Sequence, residues 1–300
     1  MMELQGTRCG PVLALLGGVH GDEDEGVLAV LRILQLIDPS ELAGTVRAVA
    51  PANPQAWAKF SRVSPLDQGN LARCFPGDPQ GDPTQVLAAG ITEAVIEGAD
   101  FLIDLHSAGS YYAMPLLCGF VAGGAQETAA RDAAIAFGTP FIWAHETGAP
   151  GRSLSVAAER GIPALYAECG GGAEVRGTDL QAYVAGVFNV MGLLKMLPKG
   201  SSRPRSTAPQ WVFGSGDLDD GAQAGQHGLF VTSVAAADRI AAGAQIGILY
   251  DYHGNERATF RAPREGIVMF LRRKARVHPE DVLFVLGRVQ DSDPRQEELT

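Results

Sequence analysis

The chain has 300 residues, 46% hydrophobic and 19% charged, with 24 basic and 34 acidic side chains and a formal net charge of −10. That length buries a sizeable core in one large domain or two smaller ones, and the acidic balance disfavours nucleic acid and other polyanions as partners. The cysteines, Cys9, Cys74, Cys118 and Cys169, form no CxxC pair, which argues against a disulfide scaffold and a thiolate metal site and points to a reducing cytoplasm.

In chain order, the apolar run Val12–Leu16 ends in Gly17–Gly18 and reads as a strand buried on both faces. The wider run Pro11–Val19 meets four acids within His20–Glu25 and no small-residue cleavage site, so it is read as a strand, not a signal peptide. Val27, Leu28, Val30, Leu31 and Leu34 recur at helical spacing. Thr45–Ala50 is a strand, Val86–Ile96 a helix closed by Gly98, and Phe101–Leu105 a strand. Ala129–Phe137 is helical, Phe141–Ala144 extended, Leu154–Glu159 a short helix, Ala164–Ala167 extended and Leu180–Leu197 a long helix. Strands separated by helices imply a mixed, mostly parallel sheet covered by helices on both faces over residues 1–198, an α/β fold.

Lys199–Pro209, rich in Ser, Pro and Arg, reads as a linker. The short runs Trp211–Phe213, Leu229–Val234, Gln245–Tyr250, Ala258–Arg261, Ile267–Leu271 and Val282–Val289 then predict a small all-β domain over 210–300. The basic run Arg272–Arg273–Lys274 with Arg276 is expected to be a solvated strand edge. His227, His253 and His278 are scattered and read as exposed or structural. No stretch reaches the ~20 apolar residues a membrane span needs.

In open α/β sheets, ligands bind at the carboxyl ends of the strands. Gly17-Gly-Val-His20-Gly-Asp-Glu23 lies where the first strand stops and the first helix begins. His20 and Glu23 can reach one ion if a turn joins them; the plainer reading is that these acids cap and charge the helix N-terminus. His106 ends the strand Phe101–Leu105 at the same edge. Asp104 shares its face, and either orients the imidazole or is a buried structural acid. His20, Glu23 and His106 give three ligands and leave a fourth position open, the arrangement of catalytic zinc, so one Zn2+ per chain is expected. Glu168 ends another strand before Gly170–Gly172. It is either a general base acting on water or an ion-pair partner of some arginine. The loop Arg62–Gly77 offers Arg62 and Arg73. Arginines there can fork onto a carboxylate or stabilise an oxyanion, or simply sit on the surface. His145 and Arg152 fall between these motifs; Arg152 precedes a helix and either touches substrate or is exposed.

The ordered set Gly17–Glu23, Arg62–Gly77, Asp104–Ser107 and Glu168–Gly172 resembles the succinylglutamate desuccinylase/aspartoacylase family of the zinc carboxypeptidase superfamily, over nearly the whole chain. The resemblance implies a deacylase that hydrolyses a small N-acylated amino acid. It implies His20, Glu23 and His106 as zinc ligands, Glu168 as general base, Arg62 polarising the scissile carbonyl and Arg73 holding the substrate carboxylate. Ala72 stands where the family has an asparagine before that arginine; Asn70, two positions earlier, is the candidate to take over its substrate contact. The Arg62–Asp67 spacing is similar to a bacterial subgroup whose members include deacetylases of N-acetyl-diaminobutyrate in ectoine breakdown. A metallocarboxypeptidase shares the same metal chemistry, and Ala72 is compatible with a binding protein that has lost catalysis. No membrane partner is expected, and a homo-oligomer is compatible with the sequence.

Overall fold

The computed structural model describes residues 1–198, 200, 208–214 and 221–290. Apart from Gly200, Ala208 and Pro209, the expected linker 199–209 lies outside the described residues.

The chain opens with strands β1 (Met2–Gln5) and β2 (Arg8–Gly17), helix α1 (Asp24–Leu36), β3 (Ala43–Val49) and the short α2 (Pro54–Ala58). A 3-10 turn (Leu71–Arg73), α3 (Pro83–Ile91) with a π turn over Thr92–Ile96, and β4 (Phe101–Leu105) come after it. Next are β5 (Tyr112–Ala113), β6 (Leu117–Val121), α4 (Glu127–Phe137), β7 (Phe141–His145), α5 (Ser153–Glu159), β8 (Ala164–Glu168) and α6 (Gly177–Leu193). Among the described residues, the elements that follow are all strands: β9 (Gln210–Phe213), β10 (Ala222–Gln223), β11 (Gly228–Thr232), β12 (Arg239–Ile240) and β13 (Gln245–Tyr250). It finishes with β14 (Glu256–Arg261), β15 (Gly266–Arg272), β16 (Arg276–Val277) and β17 (Val282–Gln290).

Alternation along β2 shows why the sheet is covered twice. Leu13 and Leu15 pack with Ala29, Ile33, Tyr183 and Val187 of α1 and α6, while Ala14 and Leu16 pack with Ala88 and Ile91 of α3 and Leu154 of α5. Leu13, Leu15 and Leu16 are fully buried, each side chain contributing about 1.5–3 kcal/mol of apolar transfer. The sheet runs β1-β3-β2-β4-β8-β6-β7-β9-β17-β15-β12. The pairs β2–β3, β2–β4, β4–β8, β6–β7 and β7–β9 are parallel; β6 runs antiparallel to β8. The central strands β2, β4 and β8 finish in step: Gly17 pairs with Leu105, and Leu105 with Ala167. The segments that leave these three strands therefore meet at one edge.

Helix α6 stops at Leu193, four residues short of the apolar pattern. Lys195 takes a left-handed φ of 60°, and the bonds Met196 N–H to Met191 O and Lys195 N–H to Gly192 O close the helix in a Schellman arrangement. Leu194, Met196 and Leu197 keep the pattern because they still face the core.

The C-terminal strands form antiparallel ladders, as expected, but do not stand apart. β9 extends the N-terminal sheet beside β7, and β17 pairs antiparallel with β9. A shared core of Met114, Leu117 and Trp143 against Val212, Met269 and Val285 joins the two regions. A second sheet, β14-β13-β11-β16, completes the C-terminal region. In the basic run, Arg273, Lys274 and Arg276 are exposed, but Arg272 is buried, contrary to the expected solvated edge. Its guanidinium pairs with Asp281 at 2.9 Å and donates to the Tyr112 hydroxyl at 3.3 Å.

Candidate metal centre and active site

β2 leaves the sheet through Gly17–Gly18, with Gly18 at φ 73°, a conformation that glycine adopts without steric cost. The turn delivers Glu23 to the N-cap of α1, but its side chain makes no capping bond. The neighbouring acids are engaged elsewhere: Asp22 accepts from the Ser110 amide and hydroxyl, and Asp24 from Trp57 Nε1. The Glu23 carboxylate instead points across the edge. Its Oε1 lies 2.7 Å from His20 Nδ1 and its Oε2 3.0 Å from His106 Nδ1, with a ligand atom of each residue within 4.8 Å of the others. All three are buried. The two rings lie with centroids 5.3 Å apart.

The outer ring nitrogens show what this cluster is built for. His106 Nε2 sits 3.1 Å from Asp104 Oδ2, and His20 Nε2 sits 3.2 Å from Asn70 Oδ1. Both outer partners are acceptors, so with a cation between the inner atoms each neutral ring would carry its proton on Nε2 and present its Nδ1 lone pair to the ion. Without one, the Nδ1 atoms hydrogen-bond to the Glu23 carboxylate. This nitrogen and oxygen donor set suits zinc, with the outer acceptors fixing the tautomers. Tyr183 donates to the His106 carbonyl at 2.6 Å, tying the same strand end to α6.

Electrostatics of the metal-free cluster agree. Burial, aided by the Arg62 charge, pulls His20 down to about 4. Burial opposes ionisation of Glu23, but the charge and hydrogen bonds of the two imidazoles hold its carboxyl well below the usual range. Burial likewise opposes charging His106, which Asp104 and Glu23 overcome, so its pKa lies well above the ordinary value. A proton on His106 thus occupies part of the place that a metal cation would fill.

The cluster opens into a cavity of about 430 Å³ whose wall includes Arg62, Arg73, Arg152 and Glu168. Glu168 ends β8, and its buried Oε2 has no hydrogen-bond partner among the described residues. Burial drives its carboxyl well above the ordinary range; the His106 charge opposes this and that of Glu23 adds to it. The Arg62 charge opposes the rise as well. Arg62 Nη1 reaches Glu23 Oε1 at 3.2 Å. Asn70, the candidate for substrate contact, is placed otherwise: it backs His20, and its side-chain oxygen also accepts the Ala72 amide at 3.0 Å, capping the 3-10 turn.

The structure adds residues that the motifs did not assign. His145 and Arg152 both line the cavity. His145 Nε2 lies 2.7 Å from the Tyr166 hydroxyl, and the rings stack at 5.6 Å. Tyr166 stands two residues before Glu168 on β8, on the same face, a placement that strand periodicity could have revealed. It crosses β6 above Gly119, where an added Cβ would collide with the phenol ring. Tyr112 and Phe270, edge to face at 6.4 Å, bring the C-terminal strands into the cavity wall; only long-range pairing of β5 with β15 unites them.

A mixed sheet with this cluster at the carboxyl ends of its central parallel strands defines a zinc-carboxypeptidase-like fold. The chain belongs to the succinylglutamate desuccinylase/aspartoacylase family: residues 9–194 match the model of the family's catalytic domain. It is 30% identical over 288 residues to the N-alpha-acetyl-L-2,4-diaminobutyric acid deacetylase of Halomonas elongata, covering 94% of this chain and 84% of that protein. The product-bound ectoine utilization protein of Ruegeria pomeroyi superposes with a TM-score of 0.86 at 25% identity, over 94% of this chain and 87% of the other. A succinylglutamate desuccinylase/aspartoacylase from Rhodobacter sphaeroides gives 0.85 at 26% identity, over 97% and 88%. Among the described residues, no helix is long and apolar enough to cross a membrane.

Proposed function

We propose that the chain is a zinc-dependent amidohydrolase that converts a small N-acyl amino acid and water to a carboxylate and a free amino acid. The observation that carries this reading is the convergence of His20, Glu23 and His106 beside a buried Glu168 oxygen, unpartnered among the described residues, in one cavity. His20 Nδ1, the Glu23 carboxylate and His106 Nδ1 would hold a zinc ion, which would supply Lewis acidity toward water and an acyl carbonyl. Glu168 takes a proton from the attacking water and passes it to the amide nitrogen as the C–N bond breaks. Burial raises its pKa, the direction that favours a carboxyl able to take up and release a proton. Arg62 donates to the carbonyl oxygen as negative charge grows there, and Arg73 forks onto the substrate carboxylate. Asn70 acts on this reading by orienting His20.

The cavity volume suits a small molecule better than a peptide chain. Together with the Halomonas relative's activity, it favours N-acetyl-2,4-diaminobutyrate or a close analogue as substrate. The cysteines are unpaired, which supports a cytoplasmic setting. Glu168→Gln tests the mechanism. It should retain one zinc per chain and lose at least about 10²-fold in turnover of N-acetyl-2,4-diaminobutyrate; full activity would overturn the assignment.

A further inference from the structure

Ser153 is the first residue of α5 and is 3% exposed. The N-cap position is Arg152, so Ser153, as the first helical residue, is not the capping side chain. The Ser153 hydroxyl instead donates to Asp104 Oδ2. That same oxygen accepts from His106 Nε2 at 3.1 Å, while Asp104 Oδ1 has no partner among the described residues. Asp104 is 2% exposed, on the α5 side of β4. One carboxylate oxygen thus carries both bonds, and the hydroxyl and the imidazole together fix its position. The terminal torsion of an aspartate is soft. Without the hydroxyl the carboxylate can turn away from Nε2, and the ring then gains access to the tautomer protonated on Nδ1, which cannot ligate a cation.

We propose that Ser153 is a positioning residue that holds Asp104 against His106 and so aims the His106 Nδ1 lone pair into the metal centre. The inference rests on the metal-centre reading above. Arg152, Ser153, Leu154 and Ser155 all line the cavity, so the start of α5 borders the cavity and, through Ser153, backs the metal ligand.

The test measures zinc dissociation constants by chelator competition on the full chain, for wild type, Ser153→Ala, Ser153→Cys and Ser153→Thr, with the melting temperature of each metal-free protein alongside. Loss of a hydrogen-bond partner behind a metal ligand lowers metal affinity about 10–100-fold. Alanine and cysteine, the latter nearly isosteric and a weak donor, should weaken zinc by at least about tenfold. Threonine, which keeps the hydroxyl, should stay near wild type. Should alanine fail to fold, the cysteine and threonine pair decides. Unchanged affinity in the folded alanine and cysteine variants would overturn the inference, as would equal losses in all variants, which would mark a packing effect. A wild-type chain without one tightly held zinc would overturn the metal-centre reading and this inference with it.

Discussion

The side-chain oxygen of Asn70 lies 3.2 Å from His20 Nε2 while accepting the backbone N–H of Ala72 at 3.0 Å. The second bond fixes which end of the amide faces the ring, since only oxygen can accept from a backbone N–H. With a cation bound inside, Asn70 would therefore set the tautomer of His20 as Asp104 would set that of His106. Asn70→Ala should weaken zinc about 10–100-fold and cost about 1 kcal/mol through the lost cap, whereas Asn70→Asp, which keeps an acceptor, should recover most of the zinc affinity. Chelator competition on both variants measures this, and an alanine variant with wild-type affinity would contradict it.

Removal of the metal should lower the stability of the folded chain, because an ion that the folded state alone can hold stabilises it. Zinc at a thousandfold excess over its dissociation constant stabilises the folded chain by about 4 kcal/mol. Thermal melts with chelator and with restored zinc should differ accordingly, and coincident melts would show that no metal binds the folded state preferentially.

Glu25 gives a pH signature separate from catalysis. Burial pushes its carboxyl up to about 7 from an ordinary 4.5, against the opposing hydrogen bond from Ser107, whose Oγ lies 2.7 Å away. Between those values the folded chain keeps a proton that the unfolded chain has released. The contribution is therefore fully present below about 4.5 and lost as pH rises through about 7. At about 1.4 kcal/mol per pK unit it amounts to at most roughly 3 kcal/mol. Urea denaturation of the metal-free protein should show wild type losing stability relative to Glu25→Gln between about pH 5 and about pH 8; parallel behaviour of the two proteins would rule this out.

Gly119 is required by Tyr166. A methyl group there meets the phenol ring, so Gly119→Ala should displace Tyr166, break its bond to His145 and destabilise the chain by about 1–3 kcal/mol. Chemical denaturation reads the loss, and a variant as stable as wild type would show that the ring has room to move.

The parallel core was legible because its strands are short apolar runs and its helices are periodic, and the sheet edge was legible because His20, His106 and Glu168 each lie at or just past a strand end. β6 was not: Leu117–Val121 has a glycine at its centre and no flanking polar alternation, so it gives no strand period. The short β1 and β5 exist through their partners β3 and β15 rather than through their own composition. Around the site, the inner cluster followed from residue type, whereas the partners of its far nitrogens did not. Asn70 lies 50 positions from His20, and Ser153 lies 49 positions from Asp104. No local spacing encodes such contacts. Arg272 deceived for a related reason: within a basic run it reads as solvated, but Asp281 and the Tyr111 and Tyr112 rings receive it.

The stitching of β17 onto β9 bears on how this polypeptide can be shortened. A product terminated near residue 209 would lack β9 altogether and leave the outer edge of β7 with bare amides and carbonyls, a surface that invites other chains to add themselves. It would also lose Phe270 from the cavity wall. An early stop codon should thus produce adhesive, misassembled material rather than a trimmed catalyst, and the last third of the gene is as much a part of the catalytic sheet as the first.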